Sequence, residues 1–218
     1  MGFFRELPNI DYQSVLSDRN SSYDYIKVKN LFRRIKIRDD IKQYFTIFDR
    51  ITIKEGFRPD HVAEQAYDNA DLDWVVLITA GIINVNNEWP LTSRELYEFA
   101  LNKYGADLNA TKHYETIEIR DANNRLILPK GKIVDSDFSI PDPSNSLTDL
   151  TGNAVRIGIS NYEYETRANE KKRRIDLLKP EYLPQFLRDM RKIMNYTKSS
   201  QYVSTRLIRT SNSRIKSP

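Results

Sequence analysis

The fold of this chain is decided by residues 56–78, which read GFRPDHVAEQAYDNADLDWVVLI. Residues 58–60 open a helix, because proline is tolerated in a first helical turn and acidic side chains suit the positive end of the helix dipole. Apolar side chains then follow at i,i+4 spacing along one side of the helix: Val62 with Ala66, and Ala63 with Tyr67. The stretch therefore begins with an amphipathic helix.

A second helix is predicted directly after the first, from about Asp71 to about Gly81. Asp68-Asn69 separates the two helices, and residues 74–78 then supply five consecutive large apolar side chains. A helix with such a run is buried on nearly all sides, so the pair is expected to form the core of a small module. The predicted core residues are Val62, Ala66, Tyr67, Leu72, Trp74, Val75, Val76, Leu77 and Ile78.

A half-buried strand is predicted before these helices, and a third helix after them. Residues 45–53 alternate with a period of two, which is typical of a strand with one buried face. The two predicted faces are Phe45, Ile47, Ile51 and Ile53 on one side, and Thr46, Arg50 and Thr52 on the other. Thr92 and Glu95 have the spacing of a capping box, and the helix that follows closes at Gly105.

The following part of the chain changes character. Residues 113–120 and 125–134 are predicted to form a β-hairpin around 121–124. The composition of 141–153 is that of a linker, and 163–178 is predicted to be a highly charged helix.

A last helix carries the clearest apolar stripe in the sequence. Lys179-Pro180 separates it from the charged helix, which predicts a helical hairpin. The stripe is a candidate protein interface, which would bury against a partner or against the domain itself; both alternatives stay open at this point. Its residues are Leu183, Phe186, Leu187, Met190, Ile193 and Met194.

The charge distribution weakens a nucleic-acid-binding function. The 218-residue chain has a net charge of +4, but residues 197–218 hold five basic residues and no acid, so the rest has 29 basic and 30 acidic residues. The basicity is therefore that of a tail, which is predicted to be solvated and to dock on an acidic partner. Near the N-terminus, Leu31, Phe32 and Ile35 follow helical spacing beside basic side chains, which predicts a solvated helix face or a protein-docking arm, with a phosphate-binding stripe as the less common alternative.

Composition and motifs exclude several classes of protein. The absence of cysteine rules out disulfides and thiolate metal sites. The sequence has no apolar run of membrane-spanning length and does not begin like a secretory signal, so synthesis in the cytoplasm is expected.

Catalytic chemistry is not indicated either. Walker, GxGxxG, HExxH, GxSxG and EF-hand patterns are absent. His61 and His113 are not at a ligand spacing, and Asp135-Ser136-Asp137 lacks the glycine and the distal glutamate of a calcium loop. We therefore expect no enzyme, no catalytic, cofactor-binding or metal-ligating residues, no cofactor and no small-molecule substrate.

The stretch 56–78 resembles the signature block of the baseplate wedge protein family of T-even-like contractile-tailed phages, with RP, A-x-x-x-Y, a turn and L-x-W-V-x-L in that order. The similarity continues through 88–93 to 103–104, and resumes at 169–175 and 191–194. The resemblance implies a virion protein of the tail baseplate, made in the host cytoplasm, without catalytic residues. It further implies a sixfold array in which the protein clamps adjacent wedges to each other and to the inner baseplate around the hub.

The same block also resembles a LysM module, a β-α-α-β unit in which two helices pack on a short sheet. The closing strand is expected near Trp89 or within 125–134. LysM modules elsewhere bind N-acetylglucosamine polymers, so a peptidoglycan-binding module is the alternative function. Gly56-Phe57-Arg58 replaces the polar turn of such modules and 80–84 replaces their polar loop, which argues against glycan binding.

Together these features predict an α+β fold with a small LysM-like central module, an extended N-terminal arm, a β-hairpin region and a C-terminal helical hairpin. The predicted segments are an N-terminal arm with a short helix over 1–43, a LysM-like central domain over 44–105, a β-hairpin region over 106–140, a linker over 141–161, C-terminal helices over 162–196 and a basic tail over 197–218.

Overall fold

The computed structural model describes residues 2–13, 25–33, 35–37 and 46–210. Helices and strands are mixed along the chain, which confirms the predicted α+β class. The chain forms two compact units: unit 1 comprises Met1–Trp89 and Arg174–Pro218, and unit 2 comprises Pro90–Arg173. Unit 2 is therefore an insertion in the sequence of unit 1.

Unit 1 contains helices from both ends of the chain and two separate sheets. Its helices are α1 (Phe3–Glu6), α2 (Pro59–Tyr67), α3 (Asp73–Ala80), α4 (Val85–Glu88) and α7 (Leu183–Ile193). Its strands are β1 (Asn9–Gln13), β2 (Tyr25–Lys29), β3 (Phe48–Thr52), β11 (Arg174–Leu178), β12 (Tyr202–Ser204) and β13 (Leu207–Arg209).

The two central helices confirm the prediction made from residues 56–78. Pro59 occupies the first turn of α2, and Asp68 ends that helix in the left-handed conformation, at φ 53°. A short 3-10 turn over Ala70–Leu72 leads into α3, which ends at Gly81 with φ 75°. A residue without a Cβ suits this conformation, so the helix ends where the sequence predicts.

The strand that pairs with β3 is β11, which is far from both predicted positions. The two strands are antiparallel, with Ile51 opposite Ile175. Trp89 instead follows α4, and residues 126–128 and 133–134 pair within unit 2. The order β3-α2-α3-β11 is thus β-α-α-β, but its last strand returns only after the whole of unit 2.

The predicted charged helix over 163–178 is confirmed as far as Lys172, but its continuation over 174–178, and with it the helical hairpin, is wrong. Helix α6 ends at Lys172, and the next residues form β11. Within β11, Ile175 and Leu177 are buried while Arg174 and Asp176 are exposed, which is the period of a strand. The alternation is masked in the sequence by the charges on its exposed side.

A four-stranded sheet in the order β12-β13-β1-β2 joins the two ends of the chain. Strand β13 runs parallel to β1, with Asn9 opposite Leu207, and β2 runs antiparallel to β1. The prediction of a solvated tail from residue 197 is therefore wrong for 202–209, whereas 211–218 lie outside the described residues. The apolar side chains of Leu207 and Ile208 favour the pairing of this segment with β1.

The predicted helix around Leu31, Phe32 and Ile35 is also wrong. The Asn30 amide donates a hydrogen bond to the Pro8 carbonyl oxygen at 2.9 Å, which extends the pairing of β2. The Asn30 side chain then accepts a hydrogen bond from the Phe32 amide at 3.1 Å and turns the chain. Residues 31–33 and 35–37 are accordingly turn and irregular structure.

Unit 2 is built around helices α5 (Ser93–Tyr104) and α6 (Asn161–Lys172). Its strands are β4 (Thr111–Thr116), β5 (Ile119–Arg120), β6 (Leu126–Leu128), β7 (Ile133–Val134), β8 (Ile140–Asp142), β9 (Asn145–Leu150) and β10 (Arg156–Ser160). The capping box of Thr92 and Glu95 is confirmed. Strands β5 and β6 form the predicted hairpin, and β4 lies between β10 and β7.

The predicted linker over 141–161 is replaced by regular structure. Strands β8 and β9 pair with each other, and β10 pairs with β4 with Gly158 opposite Tyr114. A Cβ on Gly158 would meet the Thr111 side chain at 3.1 Å, so the small residue permits the close approach of the strands. Proline, serine and asparagine mark the turns between these strands, which gave the segment the composition of a linker.

Candidate functional site

The described ranges contain no group of three or more histidine, aspartate and glutamate side chains that could hold a metal ion. Among the same residues, no helix is both long enough and apolar enough to cross a membrane. The search for a binding site therefore turns to exposed apolar side chains, which commonly mark sites where a protein binds its partners.

A groove of about 700 Å³ opens on unit 1 between helix α7, strand β3 and residues 35–37. Its apolar side chains come from each of these elements: Ile35, Ile37, Ile47, Phe48, Leu178, Phe186, Met190 and Ile193. Polar side chains, Lys36, Gln185, Asp189 and Lys192, lie among them. An apolar concavity with a few polar groups is the usual form of a binding site for another molecule.

The apolar stripe of α7 is divided between the core and this groove. Met190 and Met194 are each 1% exposed and belong to the core of unit 1. Leu183, Phe186 and Leu187 are half-buried against that core, whereas Ile193 is 60% exposed at the groove. The part of the stripe that a partner could reach is therefore centred on Ile193.

A second apolar feature lies beside Ile193, in the turn after β2. Phe32 is 91% exposed and Leu31 is also exposed. The Arg33 guanidinium donates a hydrogen bond to the Ile193 carbonyl oxygen at 2.8 Å, which holds this turn at the end of α7. We call Leu31, Phe32, Ile193 and the groove the apolar surface; the sequence singled out the α7 residues but treated Leu31 and Phe32 as part of a helix.

Arg33 and Asn30 fix this turn through a common neighbour, Tyr196. The Arg33 guanidinium lies 5.0 Å from the centre of the Tyr196 ring. The side-chain amide of Asn30 donates a hydrogen bond to the Tyr196 hydroxyl at 2.8 Å. The Tyr196 hydroxyl in turn donates to the Asn9 carbonyl oxygen at 3.2 Å. The exposed Phe32 therefore sits on a turn held by several specific contacts.

The predicted core residues lie behind the groove. Val62, Leu72, Trp74, Val75 and Val76 are buried in the core of unit 1, and Ala66, Tyr67, Leu77 and Ile78 are half-buried against it. The Trp74 ring lies 5.7 Å from that of Phe3 and 6.0 Å from that of Phe186, measured between ring centres.

Tyr67 ties the central helices to the sheet beneath them. Its hydroxyl donates a hydrogen bond to the Leu178 carbonyl oxygen at 2.8 Å, and burial raises the pKa of Tyr67 well above its ordinary value. Neutral Tyr67 is thus a fixed donor between α2 and β11. This hydrogen bond joins α2 to Leu178, which lines the groove.

The ionisable groups of unit 2 form pairs that serve packing. Burial raises the pKa of Glu165, but hydrogen bonds from Lys103 and Tyr104 more than offset it, so the pKa lies below its ordinary value. Glu115 likewise has a lowered pKa, since hydrogen bonds from His113 and Arg167 outweigh its desolvation. Such carboxylates stay ionised and paired, which suits cross-links between α5, β4 and α6.

A smaller cavity of about 280 Å³ lies in unit 1 between β3, α2 and β11. Its wall includes the polar side chains of Asp49, Thr52, Lys54 and Gln65 beside apolar ones such as Phe57. This cavity is more polar than the groove.

The sequence was finally compared with known proteins. A search of curated proteins found no match. The family model described as Base plate wedge protein 53 matches residues 3–193, a range that includes unit 2, most of unit 1 and the whole apolar surface. The chain therefore belongs to the phage Base plate wedge protein 53 family and is a structural component of the viral baseplate.

Proposed function

We propose that this protein clamps adjacent wedges of a contractile-tail baseplate to each other around the hub, and that it does so without catalytic activity. The observation that carries the proposal is the apolar surface, in which Phe32 and Ile193 are largely exposed and the turn that holds Phe32 is joined to Ile193 by the hydrogen bond from Arg33. Exposing such side chains to water is unfavourable, and contiguous apolar patches on soluble proteins commonly mark binding sites for partners.

The composition of the surface also fits a protein partner. Phenylalanine, isoleucine and methionine provide its apolar part, and Lys36, Gln185, Asp189 and Lys192 provide polar groups around it. An apolar centre with a polar rim is the usual anatomy of a protein interface. The partners are accordingly other wedge and inner-baseplate proteins, and neither nucleic acid nor a membrane is required.

The division into two units supports a role in joining neighbours. Unit 2 carries exposed apolar side chains of its own, among them Leu147, which is 92% exposed, and Ile133. A protein with two compact bodies, each with apolar side chains in solvent, can bind two neighbours at once. In a sixfold baseplate, one copy between each pair of wedges would close the ring.

An assembly experiment tests the proposal. The purified chain is mixed with the other wedge proteins of its phage, and the products are analysed by sedimentation and electron microscopy. We expect joined wedges and rings only when the chain is present. Wedges that join equally well without it would contradict the clamp.

A LysM-type peptidoglycan-binding module is the second candidate, favoured by the β3-α2-α3-β11 order and by the more polar cavity of about 280 Å³ beside it. Insoluble peptidoglycan distinguishes the two functions. If clamping is the only function, the chain stays in the supernatant, as would a variant with Gln65→Ala in that cavity. Retention of the native chain that Gln65→Ala weakens would support glycan binding instead.

A further inference from the structure

We propose that strand β2 is the docking edge for an acidic, extended segment of a neighbouring baseplate protein, which would add to the sheet β12-β13-β1-β2 as a fifth strand. The inference rests on the proposed function, since it names how one partner is held. Within the described ranges, β2 pairs with β1 on one side and with no strand on the other.

The alternation of hydrogen-bonded pairs between β1 and β2 shows which backbone amides of β2 face away from β1. The Asn30 amide donates to the Pro8 carbonyl oxygen, so the pairs in phase with it, Val28 with Ile10 and Ile26 with Tyr12, are the hydrogen-bonded pairs. The amides of the alternate residues Tyr25, Lys27 and Lys29 therefore point away from β1. An edge with such groups is a template for another strand.

The side chains of β2 indicate what kind of strand would fit. Ile26 and Val28 are exposed on one face, next to Tyr12 and Ile10 across the pair. An added strand would cover this apolar face with its own alternate residues, as in other cases of strand addition. Strand β2 leads directly to Leu31, so the new contacts would be continuous with the apolar surface.

The charge of the edge selects an acidic partner. Residues 25–38 hold six basic residues and no acidic one. The carboxylate opposite Lys27 is that of Asp11, which is buried and lies 3.8 Å from the Arg209 guanidinium. Lysines on an edge strand repel a second identical edge, which disfavours pairing between two copies of this chain. Nucleic acid would match the charge, and its phosphates can accept hydrogen bonds from backbone amides, but it has no apolar side chains to cover Ile26 and Val28.

Two probes of equal charge test the proposal on the full-length protein. The first is a short synthetic peptide in which glutamate alternates with valine, N-methylated on one edge so that it cannot associate with itself. The second has every amide N-methylated. We expect the first peptide to shift the amide resonances of Tyr25, Lys27 and Lys29 most, and the second to bind at least about tenfold more weakly. Equal binding of the two peptides would overturn the proposal.

Two variants separate backbone pairing from charge. Lys27→Pro removes an amide that points away from β1, so the native sheet is retained, because edge strands tolerate proline at such positions. Lys27→Gln removes the charge and keeps the amide. We expect Lys27→Pro to bind the first peptide at least about tenfold more weakly than Lys27→Gln does; equal affinities would overturn the assignment of the edge.

Competing occupants and the clamp itself are tested separately. Duplex DNA that binds the native chain more tightly than the first peptide does, and that Lys27→Gln and Lys27→Pro weaken equally, would assign this strand to nucleic acid. If the native chain forms dimers and the Lys27→Pro variant is monomeric, the occupant of the β2 edge is a second copy of this chain. If the first peptide does not bind while the native chain still joins wedges, strand addition is wrong and the clamp stands. If the native chain does not join wedges, the clamp is wrong, whether or not the peptide binds.

Discussion

At the scale of single residues, Glu6 connects the N-terminal segment to the last helix. Glu6 is 4% exposed, and its carboxylate accepts two hydrogen bonds from the Arg191 guanidinium, at 3.0 Å each. The Arg206 guanidinium donates to the Glu6 carbonyl oxygen at 2.7 Å. The hydrogen bonds from Arg191 lower the pKa of the Glu6 carboxyl, against the effect of its burial. The sequence shows these three residues but not that they meet, since Glu6 and Arg191 lie at opposite ends of the chain.

Glu6→Gln should lower the free energy of unfolding of unit 1 by about 1–3 kcal/mol, because charge-assisted hydrogen bonds to a buried carboxylate are lost. Arg191 is itself half-exposed, so its charge remains solvated and the loss stays moderate. Urea denaturation followed by fluorescence measures the change. The matched control is Glu98→Gln, whose partner Arg94 is exposed at i,i+4 spacing and whose loss should cost about 0–0.5 kcal/mol. Equal effects of the two substitutions would contradict this role of Glu6.

The same substitution should change the pH dependence of stability. The pKa of Glu6 is lowered in the folded protein, so its contribution is complete above the ordinary value of 4.5 and is lost as the pH falls through the folded value. Wild type and Glu6→Gln should therefore differ most in stability near neutral pH and converge in acid. A difference that grows as the pH falls below the ordinary value would contradict the direction of the shift.

At the scale of elements, helices with local signals were predictable and strands with distant partners were not. Pro59, Asp68 and the Thr92 capping box lie within a few residues of the ends they define, so α2 and α5 follow from the sequence. Strand β11 was misread because its partner β3 lies outside any local window and its exposed residues carry charges. Helix α7 was recognised from its period, but the period gives the apolar side and not what covers it.

Two substitutions on α7 should separate its core face from its exposed face. Met190→Ala removes a side chain that is 1% exposed and should cost about 2–5 kcal/mol of unfolding free energy, because a cavity remains. Ile193→Ala should change stability by less than about 0.5 kcal/mol, since that side chain is mostly in solvent. Thermal unfolding of both variants provides the measurement. A large loss of unfolding free energy on Ile193→Ala would mean that the Ile193 side chain belongs to the core. The groove would then lack the exposed residue through which a partner is expected to bind.

At the scale of the whole molecule, the N-terminal and C-terminal parts of the chain pair within unit 1, and unit 2 is inserted in its sequence. Strand β13 pairs with β1, and the Arg206 guanidinium bonds the carbonyl oxygens of Glu6 and Leu7. Neither the insertion nor the pairing of the ends has a local signal, since the insertion depends on contacts such as that between Arg50 and Asp176, 126 positions apart, and the pairing of the ends on contacts such as that between Glu6 and Arg206, 200 positions apart. Composition therefore indicated a tail where the chain completes a sheet.

Removal of residues 201–218 should consequently destabilise the sheet in unit 1. We expect the amides of β1 to lose protection against hydrogen exchange, because one side of that strand would lose its partner. The amides of α5 in unit 2 should keep their protection, which provides the internal control. Unchanged exchange in β1 would show that the C-terminal strands are dispensable.

A comparison of charged variants in the assembly reaction shows whether the apolar surface of unit 1 joins wedges. Phe32→Glu and Ile193→Glu are combined in one chain, and Ile83→Glu, at an exposed apolar position of unit 1 outside the apolar surface, serves as the control. Electron microscopy then gives the fraction of wedges found in rings. We predict that the double variant leaves the wedges separate at a concentration where wild type forms rings, and that Ile83→Glu forms rings as wild type does. Rings formed by the double variant as efficiently as by wild type would contradict the account.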